Sequence, residues 1–321
     1  MSLETSDYAD RKSWHQNGWN SLGELVRARG LRRALVTGGT DGIGKEAAHG
    51  LAFAGYGVIV VGRDRQKGTR AVDEISLATG NPDIGFIHAD LSLMSEANRL
   101  ADEVGGRWTG LNYLVHSAGV VRQHRDVTSE GVESSFAINY LSRFVLTQRL
   151  LPLMDAAGRP GEAARIVLVS GAAKNGLIYF DDVNLTSKFG VFRAVGQFCR
   201  ANDVFTVEQA RRLAGKNVTI VCIKMGVVRT NIRNGRDFPW WLKILAPLVM
   251  DPLLGQAPKE AADSVLKPLL AREYEGISGA VFMKIKNLRR VTSAVRMNNA
   301  EIGKQLWDLS ERLSRRSGEV R

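Results

Sequence analysis

The stretch at residues 37–44 reads TGGTDGIG, and its glycines are spaced as a phosphate cradle requires. Gly38 permits a tight turn, Gly42 lets main chain approach a pyrophosphate, and Gly44 lets a helix pack closely on a strand. A helix that starts at such a turn offers free N–H groups and the positive end of its dipole to an anion. Thr40, Asp41 and Ile43 complete the candidate cofactor-binding turn. Further on, Arg63 stands at the end of GVIVVG, with Arg65 and Lys67 close behind. A carboxylate at this place would hold a ribose 2′-OH, whereas a guanidinium fork matches a 2′-phosphate. The pattern points to NADP(H), and Asp64 leaves NAD(H) open.

Two further side chains have reactive chemistry. A thiolate at Cys199 would act as a nucleophile or a weak acid if a nearby cation lowered its pKa. Otherwise Cys199 is a small, soft packing residue beside Phe198. Lys224 precedes Met225 and Gly226 at the end of an apolar run. It either reaches a substrate or cofactor phosphate or ends a strand in solvent. No metal site is expected.

These residues need elements to position them. RRALVTG, GVIVVG, IGFIHAD, LNYLVHSAG, ARIVLVSG and NVTIVCIKMG are short apolar runs that alternate with helical stretches. Such alternation predicts an α/β fold, a doubly wound parallel sheet with helices on both faces. The helical stretches include GVESSFAINYLSRFVLTQRLLPLMDAA and residues 190 to 214. SGAVFM is read as the last strand and IGKQLWDLSERLSRR as the last helix. The expected organisation is an N-terminal arm over 1–30, one Rossmann-type domain over 31–316 and a tail over 317–321. Residues 229–256, with Trp240, Trp241 and several prolines, are read as an apolar lid.

Composition narrows the classes. The chain has 321 residues, 44% of them apolar, enough for a large core. It has two cysteines, Cys199 and Cys222, so no disulfide framework supports it. With no apolar leader at the N-terminus, a cytoplasmic setting is expected. The greasiest stretch, PWWLKILAPLVMDPLL, contains Lys243 and Asp251 and is shorter than the roughly 20 apolar residues a bilayer span needs. The net charge is +11, but its basic residues are dispersed and no nucleic-acid motif accompanies them. Nucleic acid is therefore not an expected partner. The arm, with Trp14, Trp19, Leu22 and Leu25, either packs on the body or makes peripheral membrane contact.

TGGTDGIG, HADLS with Asp90, VHSAG ending in Gly119, and FAINYLSRFVLT with Asn139 together resemble the short-chain dehydrogenase/reductase family. IYFDDVNL, VFTVEQARRL and LWDLSERL are similar to its retinol-dehydrogenase-like branch. The resemblance spans roughly residues 31 to 316. It implies that Asp90 and Leu91 border the adenine, and that Ala118 and Gly119 lie along the adenosine and ribose. It also implies a hydrophobic small-molecule substrate and a homodimer through the helices containing 127–155 and 190–214. Two motifs depart from the family: His116 and Ser117 replace its usual pair of asparagines, and Met225 replaces its usual proline.

The family's reaction uses a Ser, a Tyr and a Lys, with an Asn behind them. Alignment on the flanking Ala194, Ala201 and Asn202 puts Gly171 at the Ser position, Val195 at the Tyr position and Cys199 at the Lys position. Asn139 is retained. Lys224 falls where the branch often has a His. A positioned acid contributes about 10²–10⁴ in rate, so ordinary ketone reduction should be very slow. Three readings remain open. One is hydride transfer to an acceptor needing little acid help, such as an imine or a conjugated enone. The second is a non-redox cyclase, isomerase or lyase, for which the cofactor is structural or not required. The third is a non-catalytic NADP(H)-binding protein.

Overall fold

The computed structural model describes residues 32–173, 176–226, 228, 255–284, 288–290 and 299–316. The expected arm and tail, and the lid apart from residues 255 and 256, lie outside the described residues. The strands are β1 (Arg33–Thr37), β2 (Gly57–Gly62), β3 (Ile84–His88), β4 (Tyr113–His116), β5 (Ala164–Gly171), β6 (Val218–Met225), β7 (Ala280–Lys284) and β8 (Leu288–Arg290). They form a single sheet in the order β3-β2-β1-β4-β5-β6-β7-β8. All neighbours pair in parallel except β7 and β8. SGAVFM is therefore not the last strand, as its apolar run suggested. A short antiparallel strand, Leu-Arg-Arg, follows it; two of its three residues are exposed, so it has no apolar run to betray it.

The helices are α1 (Gly42–Phe53), α2 (Arg65–Thr79), α3 (Met94–Arg107), α4 (Ser142–Ala157), α5 (Val191–Arg212), α6 (Pro258–Leu270) and α7 (Ala300–Arg316). α1 and α6 cover one face of the sheet. Gly50 makes their close approach possible, since a Cβ there would lie 2.4 Å from a Leu266 methyl. α3, α4 and α5 cover the other face, with α7 outside them. The helical run expected from residue 131 does not begin until Ser134. It passes through a π-helical stretch, Ala137–Leu141, before α4. A π turn inserts one extra residue and so re-aims the side chains within it; Asn139 is one of them.

α7 shows why its sequence forms this helix here. Leu306, Trp307, Leu309, Ser310 and Leu313 recur on one face and are all buried. The Trp307 ring meets Phe144 edge-on with centroids 5.0 Å apart, and the Arg212 guanidinium lies 3.7 Å from its centroid. Ser310 and Tyr140 hydroxyls bond at 2.7 Å. Each fully buried large apolar side chain contributes about 1.5–3 kcal/mol, so α7 is firmly held to α4 and α5. Among the described residues no helix is long and apolar enough to cross a membrane.

Candidate functional site

The site is the crevice at the carboxyl ends of the strands, where the chain order reverses between β1 and β4. Its first half is made of main chain. Gly38 has φ +66°, and a Cβ there would lie 2.7 Å from both the Cα and the N of Ala118. Gly44 sits so close to the turn that a Cβ would lie 2.3 Å from the Gly38 carbonyl oxygen. Gly42 also has positive φ, +54°. Asp41 caps α1, its Oδ1 accepting from Gly42 N at 2.7 Å. Thr40 leans on the end of β2, where Gly62 leaves room for it. Ile43 is half-buried against the core. Thr37 Oγ1 accepts from Ser117 N at 3.2 Å and Ala118 N at 3.3 Å, tying the turn to the end of β4.

Beyond β2 the side chains sort by charge. Arg63 is exposed at the strand end. Asp64 is committed to α2 as its N-cap, its Oδ1 accepting from Lys67 N at 3.0 Å. Arg65 and Lys67 are exposed beside it, and the cradle fits a dinucleotide. Asp90 closes the turn after β3, accepting from Ser92 N at 3.0 Å, and Leu91 is buried below it.

The second half is made of side chains. Asn139 spends its amide on the loop after β4. Nδ2 donates to Val120 O at 2.7 Å and Ser135 O at 2.8 Å, and Oδ1 accepts from Val120 N at 3.2 Å. It clamps Gly119 as well, where a Cβ would lie 2.8 Å from Oδ1. Gly171 and Cys199 are brought together: a Cβ on Gly171 would lie 3.1 Å from Sγ. Val195, one turn earlier on α5, is half-buried against the same core. Cys199 is 1% exposed. Burial pushes its thiol pKa up, against opposing pulls from Ser170, the Ala173 main chain and Lys224. At neutral pH it is a thiol rather than a nucleophilic thiolate.

Lys224 corrects both sequence expectations for it. It neither ends its strand in solvent nor faces the open cleft. It is 5% exposed, and its Nζ donates to Asp203 Oδ2 at 2.6 Å. Asp203 is itself 2% exposed. Burial raises the Asp203 carboxyl pKa, with Lys224 pulling against it. Positions 199 and 203 are one turn apart on α5, so the pair lies directly beneath Cys199.

Sequence reasoning missed Arg143, which the structure puts at the centre of this buried ground. Its Nη1 donates to Val169 O at 2.8 Å and Asn202 Oδ1 at 3.2 Å, and its Nη2 to Ala118 O at 2.8 Å. Beside it His116 is fully buried, with Nε2 bonded to Thr147 Oγ1 at 3.1 Å. Burial first, and then Arg143, hold the His116 pKa well below its ordinary value. The available signal was a charge inside the apolar run of FAINYLSRFVLT, on a helix covered on most sides.

Four of the five described tyrosines are committed elsewhere. Tyr56 and Tyr113 bond each other, Tyr140 bonds Ser310, and Tyr274 packs on Phe282. The Tyr179 ring lies beneath the Arg193 guanidinium, 4.0 Å away. Tyr8 lies outside the described residues. No group of side chains able to hold a metal ion occurs among the described residues.

The family model described as short chain dehydrogenase matches residues 32–237. The chain belongs to that family. It is 32% identical over 282 residues to human polyprenol dehydrogenase, covering 87% of this chain and 84% of that one. It is 31% identical over 287 residues to human retinol dehydrogenase 13, covering 88% and 84%. Among solved structures, an uncharacterized protein from Mycobacterium paratuberculosis superimposes with a TM-score of 0.69 at 25% identity, covering 88% of this chain and 93% of that one. The RhlG/NADP active-site complex of Pseudomonas aeruginosa gives a TM-score of 0.62 at 25% identity, covering 78% and 94%. Membership of the short chain dehydrogenase family supports oxidoreductase chemistry in general.

Proposed function

We propose that the protein binds NADP(H) and transfers hydride to a hydrophobic small molecule whose acceptor carbon needs little acid assistance, a conjugated enone or an imine. One observation carries this reading: the cradle is complete while the reacting side of the crevice offers Gly171, Val195 and a buried, protonated Cys199. Gly38, Gly42 and Gly44 would hold the pyrophosphate, Arg63 the 2′-phosphate, and Ala118 and Gly119 the sugar beside it. The reduced nicotinamide supplies a hydride when bound. The chain's own residues then shape an apolar floor beneath the acceptor. An iminium already carries the charge that an acid would otherwise provide, and an enolate formed from an enone takes its proton from solvent. Relatives named for retinol and polyprenol favour a long apolar substrate. A homodimer would have to form beside α7, which already covers Tyr140, Phe144 and Phe205. A cytoplasmic setting is part of the same proposal.

The test is NADPH consumption with a hydrophobic enone, a cyclic imine and the matching saturated ketone. Turnover with the first two and none with the ketone supports the reading. Product isomeric with the substrate, formed without cofactor oxidation, would replace it with a cyclase or isomerase. Tight NADPH binding with no turnover of any acceptor would replace it with a non-catalytic role, which the protonated state of Cys199 favours.

A further inference from the structure

Arg143 is 3% exposed, yet every group that accepts from it is neutral: two main-chain carbonyls and the Asn202 amide. Its Nε has no partner. Burial lowers its pKa to about 10, so the guanidinium is charged at neutral pH. The neighbouring buried carboxylate, Asp203, is matched by Lys224 at 2.6 Å. The ground beneath β4, β5 and β6 therefore holds one positive charge in excess. Its position is fixed by its acceptors: Ala118 O, in the loop after β4, and Val169 O, near the end of β5.

A dinucleotide in a doubly wound sheet crosses the switch point at the carboxyl ends of the strands. With the pyrophosphate at the Gly38 turn and the adenosine half toward Arg63 beyond β2, the nicotinamide half extends the other way, over β4 and β5. We propose that Arg143 makes this site select the reduced cofactor, because its uncompensated buried charge opposes the cationic ring of NADP+ and leaves the neutral ring of NADPH untouched. This rests on the NADP(H) reading above. The phosphates are common to both forms and cancel in the comparison, so the ring's single charge decides it. Charges out of water interact over several ångströms with little screening. Arg143 would thereby favour loading with the reduced cofactor and release of the oxidised one, while making the bound hydride donor no stronger.

The experiment titrates NADPH, NADP+ and 2′,5′-ADP into the full chain and its Arg143→Lys and Arg143→Gln variants at neutral pH. In the unaltered protein NADPH should bind roughly tenfold tighter than NADP+, ~1.4 kcal/mol. Arg143→Lys keeps that preference, Arg143→Gln brings the two within about twofold, and 2′,5′-ADP binds all three alike. Where Arg143→Gln does not fold, Asn202→Asp sets a carboxylate against the guanidinium and should abolish the preference with Arg143 in place. Equal affinities in the unaltered protein, or a preference that survives loss of the charge, overturns the proposal. Failure of folded, unaltered protein to bind 2′,5′-ADP overturns the NADP(H) reading itself and this proposal with it.

Discussion

The Gly38–Gly44 turn and the ground beneath Gly171 lie at the same edge of the same sheet and are built in opposite ways. The turn is main chain brought together by the lack of side chains. Where a Cβ is missing, carbonyl and amide groups approach to distances no other residue would allow. The ground beneath Gly171 is side chain: Asn202 and Asp203 from α5, Lys224 from β6, Arg143 from α4 and His116 from β4, all nearly out of water. The first region tolerates no added atoms. The second tolerates no single lost charge at its ion pair, because Asp203 and Lys224 are buried against each other.

The largest expected effect is in the second region. Lys224→Met leaves the Asp203 carboxylate buried without its cation, and breaking such a pair typically costs about 3–5 kcal/mol. Urea denaturation should show that loss. The double variant with Asp203→Leu should recover most of it, since a buried ion pair and an apolar pair of similar volume are often close in stability. A single variant as stable as the parent would mean that the pair is hydrated in solution. In the first region, Gly38→Ala combines positive φ with a forced overlap on Ala118, and overpacking of this kind costs about 1–3 kcal/mol. Its melting temperature should fall together with its NADPH affinity. Gly105→Ala is the control: nothing lies within 4 Å of a Cβ there, and relief of glycine's backbone freedom within α3 should stabilise by about 0.5–1 kcal/mol. Should Gly38→Ala behave like Gly105→Ala, the cradle is not as tight as its geometry says.

Arg63→Ser probes the cradle's outer end without touching its packing. NADPH should bind roughly tenfold more weakly, about 1.4 kcal/mol, while NADH affinity stays unchanged. Equal loss for both cofactors would put Arg63 on the pyrophosphate instead of the 2′-phosphate.

The same contrast explains what the sequence made legible. The cradle is contiguous, and its chemistry is written in glycine spacing, so its residues and the doubly wound sheet could be read directly. The apolar runs made seven strands legible, β1 to β7, but β8 has no apolar pattern to read. The buried ground is assembled from residues 116, 143, 202, 203 and 224, which only the folded sheet brings together. Lys224 alone looked like a strand-end cation because nothing near it in sequence supplies the acid, which lies on another element. Asn139 was read by type, but the π turn decided where its amide points.

His116 tests the second region most gently. In the folded protein it stays neutral well below pH 6.5, because burial and then Arg143 oppose its protonation. In the unfolded chain it titrates near the ordinary value of about 6.5. The unfolded state therefore binds more protons as the pH falls through that value. Stability is complete above it and declines below it, by about 1 kcal/mol at one pH unit lower. His49 adds a similar but separate contribution, its pKa lowered chiefly by burial, so the comparison must be made between variants. His116→Asn should flatten the acid side of the stability–pH profile relative to the parent, and His49→Gln should flatten it less. Parallel profiles for the parent and His116→Asn would mean that His116 reaches solvent, and that the charge of Arg143 is screened where it now stands bare.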